Sequence, residues 1–154
     1  MDGLKNLDTL IKSMSPKINE GQYVFCTLEN PPQELLNQAI LTFTEAEGKT
    51  LIVQKQTADN FGLTYNFVAA WITLSVHSAL DAVGLTATFS TALARQGISC
   101  NVVAGYYHDH IFVDLQKADQ AIEALNKISS QYRIACQPLT WAFTLLGLDK
   151  RIFG

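Results

Sequence analysis

The chain has 154 residues, the length of one ordinary domain or of two small repeats packed as one body. Hydrophobic residues make up 48%, which excludes a disordered chain. The 11 Lys+Arg against 14 Asp+Glu leave a net charge of −3, which excludes the basic footprint of a nucleic-acid or anionic-membrane binder. Charged residues are only 16%, against roughly 25% in an average domain, so part of the surface is expected to be covered by another copy of the chain.

The N-terminus does not read as a signal peptide. It carries Asp2, and Leu4, Leu7, Leu10, Ile11 and Met14 follow at helical spacing. The longest apolar stretches, 67–76 and 139–148, are about half of what a bilayer requires. Cys26, Cys100 and Cys136 are odd in number, far apart and without a CxxC, as expected of small buried hydrophobes in a reducing cytosol. A cytoplasmic protein is the expectation.

In chain order, 4–14 reads as a short amphipathic helix stopped by Ser15 and Pro16. Residues 22–28 are extended in character, Pro31 and Pro32 break them, and 33–38 leave room for about one helical turn. Segments 39–44 and 50–53 flank a Gly48-containing hairpin loop, and a short helix at 56–61 ends at Gly62. Residues 67–76 read as a strand buried on both faces. A helix over 83–96 places Leu85, Phe89, Ala92 and Leu93 on one face and stops at Gly97. Strands follow at 98–104 and 110–115, joined by a turn at 106–109. A helix over 117–128 then buries Ala118, Ala121, Ile122, Leu125 and Ile128, and 132–136 is a candidate last strand.

This β-α-β-β-α order with a final β is the ferredoxin-like arrangement. Residues 50–59 align without gaps on 110–119, an offset of 60, with Val53/Val113, Gln56/Gln116, Ala58/Ala118 and Asp59/Asp119 identical. The first copy is degenerate, since the prolines leave little room for its first helix, and the 4–14 helix is expected to cover that face. The organisation expected is a first repeat at 1–66, a second at 67–137 and a tail at 138–154.

Several constellations invite chemistry. His108-Asp109-His110 is an HxH whose imidazoles share a strand face, a candidate metal site or metal-dependent centre with Asp109. His77 is expected at the opposite end of the sheet from His110, on the view that their strands run parallel. Gly48-Lys49-Thr50 lacks the earlier glycine of a phosphate loop, with Phe43 at that position. Ser78, His77 and Asp81 have no nucleophile elbow around them, and Ser78-x-x-Asp81 reads as a helix cap. The richest stretch is 76–87, where a buried strand passes through a polar loop into a helix whose first turn contains Gly84. Free N–H groups and the positive dipole end collect there, suiting a carboxylate, and glycine permits close approach. Asn101, inside an apolar strand, offers donors and acceptors to the ligand's other end.

The stretch Val83-Gly84-Leu85-Thr86-Ala87, followed by Gly97-Ile98-Ser99-Cys100-Asn101-Val102, resembles the ACT domain of amino-acid-responsive regulators. With Gly21–Thr27, Ile72–Ser78 and Gly97–Val113, residues 4–129 resemble a family of small stand-alone tandem ACT-like proteins of unassigned function. That resemblance implies an α+β fold of two ferredoxin-like (βαββαβ) ACT repeats, with antiparallel sheets and helices on one face. It also implies a non-catalytic regulatory module without a cofactor or fused enzyme domain. Its partners would be a small-molecule effector, an amino acid, and a second copy in a homo-oligomer, a dimer. Carried over residue by residue, it implicates Ser78, Asp81, Val83, Gly84, Leu85, Thr86, Asn101 and Val102. The first-repeat loop holds Glu29, Asn30 and two prolines instead of a glycine, so binding is expected in the second repeat alone. A structural interaction module without a ligand is the remaining alternative.

Overall fold

A computed structural model describes residues 6–76 and 82–135, the side chains of 133–135 excepted. Its elements run α1 (Leu7–Ser13), β1 (Ser15–Ile18), β2 (Tyr23–Leu28), α2 (Gln33–Leu36), β3 (Leu41–Glu45), β4 (Gly48–Gln54), α3 (Lys55–Asn60), β5 (Val68–Ser75), α4 (Leu85–Arg95), β6 (Asn101–Ala104), β7 (Asp109–Asp114) and α5 (Ala118–Ala135). The strands form a seven-stranded sheet of order β3-β4-β2-β5-β7-β6, with β1 paired to β5.

Strand β5 is the hinge of the topology. Its residues 69–74 pair antiparallel with β7 along one edge. Its other edge takes β2 at one end (Tyr23 opposite Ala69) and β1 at the other (Ile18 opposite Ile72). Four residues, 19–22, therefore span only two of β5, 70 and 71, in a bulge that Asn19 ties down. Its N–H and Nδ2 both donate to the Trp71 carbonyl, at 2.8 and 3.2 Å.

Two interlocked βαββαβ units result. In the first, β2, β3 and β4 are completed by the start of β5. In the second, β5, β6 and β7 are completed by β1, which occupies the fourth-strand position. The expected division at residue 66 falls just before this shared strand. Residues 132–135 are helical and carry no last strand, because the apolar spacing Ala121, Leu125, Ile128, Tyr132 runs on at helical period; Cys136 lies outside the described residues. As expected, α1 stops before Ser15 and Pro16, closing at Ser13 with Met14 as its C-cap, but the chain goes straight on into β1. Pro16 sits on β1, which among the described residues pairs with β5 alone, so its missing N–H can face away from the ladder.

The helices cover one sheet face. Leu10 and Ile11 of α1 and Met14 at its C-cap pack with Ile72, Leu74, Leu85, Phe89, Leu93, Ile111, Val113 and Leu125 in one buried cluster. The expectation that the N-terminal helix covers the first repeat is thereby corrected: it covers the second, carried there by β1. Its start is capped by Asn6, whose side chain accepts the Thr9 N–H at 3.0 Å. A smaller cluster, Val24, Cys26, Leu35, Leu51, Val53 and Ala58, lies under α2 and α3. The opposite face, helix-free among the described residues, carries a third, with Tyr23, Ile52, Ala69 and Phe112 at its centre and Phe25, Leu41, Phe67, Trp71 and Val103 around them.

Candidate functional site

The second unit's βα connection leaves β5 at Ser75 and enters α4 through Gly84. Gly84 has a φ of 101°, in the left-handed region open to glycine, and as the N-cap residue it brings no side-chain acceptor for the first-turn N–H groups. A Cβ there would lie 2.9 Å from Leu7 Cδ2, so α1 packs against the point where the loop becomes helix. Val83 is 83% exposed, Thr86 is exposed and Leu85 is buried in the core. Ser78, Asp81, His77 and their proposed cap lie outside the described residues.

The sheet does not bring all the expected residues together. Asn101 lies level with Phe112 and Trp71, three rows from the Leu74–Asp109–Ala104 end nearest the loop, or about 10 Å at ~3.3 Å per residue. Being opposite Phe112, it belongs to the helix-free face, and its Nδ2 donates to the Phe112 carbonyl at 3.2 Å. Val102, opposite Ile111, faces the helices. Asn101 and the α4 N-terminus thus sit on opposite faces of one protomer's sheet.

The histidine motif is also divided. His110 and Asp109 alternate across the strand: His110 stands with Trp71 on the helix-free face, while Asp109, opposite Leu74, is buried on the helix side. Each imidazole engages its Nδ1, His108 with the Val76 carbonyl at 3.5 Å and His110 with the Trp71 indole at 3.1 Å. Among the described residues no three His, Cys, Asp or Glu side chains come together as a metal site. The parallel pairing assumed for His77 and His110 is wrong. In a split βαβ the strands that run parallel are β5 and β6, and β7 lies antiparallel between them, so the end of β5 meets the start of β7. Burial pushes the Cys100 thiol up to about 11 and raises Cys26 as well, so neither is a thiolate at neutral pH.

Sequence reasoning saw Asp109 as a metal ligand alone. Here it is a carboxylate 8% exposed at the loop end of the sheet, on the face that carries α4. Burial raises its pKa, and the neighbouring His110 and His108 partly oppose that rise. Its alternation with His110 would have signalled the buried side, had the strand start been placed at 109.

Among the described residues no helix is long and apolar enough to cross a membrane. No curated protein matches the chain. Two family models do, both described as ACT domain, over residues 2–70 and 66–127. Their overlap, 66–70, contains the start of the shared strand β5. Among solved structures, a Vibrio cholerae protein of unknown function is 49% identical, with a TM-score of 0.73 over 81% of this chain and 97% of its own. An Agrobacterium tumefaciens protein is 15% identical, with a TM-score of 0.60 over 75% and 89%. The regulatory subunit of aspartate kinase from Thermus thermophilus, 8% identical with a TM-score of 0.55 over 73% and 95%, shares the fold. The chain belongs to the ACT domain family, as a tandem of two of these ligand-binding regulatory modules on one curled antiparallel sheet.

Proposed function

We propose that the protein senses an amino acid at the β5–α4 connection and answers by changing its self-association. The observation that carries this reading is the pairing of two opposite requirements at one sheet end. First-turn N–H groups that Gly84, having no side chain, does not cap suit a carboxylate. The desolvated Asp109 carboxylate on the same face suits an ammonium. Ser78 and Asp81 belong to the same connection, with Val83, Leu85 and Thr86 flanking the glycine. Asn101 and Val102 sit on β6, an outer strand of the sheet, where a second copy in a dimer would meet them. Exposed Tyr106 and Tyr107, at 73% and 62%, extend that edge and agree with the low charge content.

Regulation requires that the effector prefer one assembly state over another. Calorimetry against the twenty amino acids, with mass in solution read with and without each, tests both parts. Binding of one amino acid with a change in mass is expected. No heat and no thermal shift across the set would overturn the proposal.

A further inference from the structure

The helix-free face holds a cavity of about 430 Å³, lined by Ile40, Leu41, Trp71, Val103, His110 and Phe112 together with the backbone at Ala104 and Gly105. Its walls come from both outer strands, because the sheet curls until β3 and β6 flank one space. That volume falls within the range of small-molecule sites, which runs from about 300 to 1,000 Å³.

Its chemistry is specific. Among the described residues no Lys, Arg, Asp or Glu lines it, so an ionised guest would lose its hydration without a counter-charge from them. Trp71 stacks on Phe112 at 6.1 Å with rings 16° apart, giving flat aromatic walls. Among the described lining residues two side chains carry polar atoms, Trp71 and His110, and they are bonded to each other. Indole is a donor only, so Nδ1 must accept the Trp71 N–H, and the neutral ring carries its proton on Nε2. Burial lowers the His110 pKa, which favours this neutral form. Thr73 Oγ1 lies 3.1 Å from the same Nδ1 and accepts from Asn19 Nδ2 at 2.9 Å, so the bulge holds the ring's orientation. Gly105 lies at the Nε2 edge, where a Cβ would stand 3.2 Å from Nε2 and 2.8 Å from the His108 carbonyl. Only glycine leaves that edge clear.

We infer that this cavity is a second ligand site, taking a neutral, flat, apolar molecule that accepts one hydrogen bond from His110 Nε2. It lies across the sheet from the β5–α4 connection and does not depend on the amino-acid reading.

The test uses the full chain and three probes of similar shape: acetophenone, ethylbenzene and benzoate. The Trp71 indole N–H resonance, identified by its survival in Trp141→Phe, reports directly on the Trp71–His110 bond. Acetophenone is expected to shift it saturably, ethylbenzene to bind about fivefold more weakly for want of the acceptor, and benzoate to leave it unchanged. His110→Asn keeps an acceptor for Trp71 but lacks the Nε2 donor, so it should abolish the preference for acetophenone over ethylbenzene. Val103→Phe and Ile40→Phe fill the space from opposite edges and should each abolish binding. Ile40 is 39% exposed, so that variant is expected to fold even where Val103→Phe does not. No saturable shift, or a shift that survives Ile40→Phe, overturns the site. A wild-type dimer that becomes monomeric in Ile40→Phe and binds no probe overturns it in favour of a second copy on this face.

Discussion

The two units share a strand plan and differ in their helices. The first is covered by α2 and α3, of 4 and 6 residues, and the second by α1, α4 and α5, of 7, 11 and 18. Its first βα connection runs through Pro31 and Pro32 into a helix of one turn, whereas the second runs through a left-handed glycine into three turns. A helix dipole requires length, and a backbone anion site requires free N–H groups. The duplicated frame therefore carries two roles: the second unit holds the candidate effector site, while the first supplies one wall of the cavity on the other face.

The sharpest challenge to that division is cooperativity. Phe89→Ala in the second core and Leu51→Ala in the first remove fully buried side chains and should cost about 3–5 and 2–5 kcal/mol in urea denaturation. Because β5 completes both units, both variants should shift one common transition. Two separate transitions would show that the units fold independently.

Glycines separate the units at a smaller scale. Gly84→Ala meets both a positive φ and Leu7, and should cost about 1–3 kcal/mol. Adding Leu7→Ala should recover the steric part and leave the backbone part. Gly62, at φ 64° with nothing within 4 Å of its added Cβ, faces the backbone cost alone, so Gly62→Ala should cost about 1 kcal/mol. Equal losses at both sites would remove the packing role assigned to α1.

Acidification probes the helix-free face. Burial, foremost, and the His108 charge lower the His110 pKa in the folded chain, while Asp109 opposes them. The unfolded chain then binds more protons, so the stability His110 contributes is present above its ordinary pKa of about 6.5 and lost as pH falls through the lower folded value. His110→Asn should flatten the decline in melting temperature across that window. Asp109 acts with the opposite sign. Its raised folded pKa means that its contribution is full below about 3.9 and lost as pH rises through the folded value, so Asp109→Asn should relieve a cost at neutral pH. The smallest effect belongs to the exposed Lys55–Asp59 pair on α3, 2.7 Å apart; Lys55→Ala should leave the melting temperature unchanged within error.

Local patterns were legible where periodicity was strong. Leu85, Phe89 and Leu93 announce α4, and the offset of 60 places β3 on β6 and β4 on β7. Around Pro16 the reading was right about the helix, which closes at Ser13, and missed the strand that follows, because a proline stops a helix by local sterics whereas its place on a strand depends on β5, some 58 residues away. The candidate site was half legible. Gly84 declares itself through its type and position before a helix. Asn101 was grouped with it because strand order brings β6 near, but register sends its side chain to the other face.

The shortage of charge has the same two-part character. By itself the sequence determined the tandem repeat, the ferredoxin-like strand and helix order, the lack of a basic excess and the glycine-opened helix, since these follow from composition, local periodicity and the likeness of one segment to another. Tertiary structure alone decided that β1 closes the second unit, that β5 serves both, that Asp109 is buried while His110 faces Trp71, and that the curled sheet encloses an apolar cavity. Those outcomes rest on contacts between distant residues, which hydrophobic pattern permits and only register and sheet curvature select.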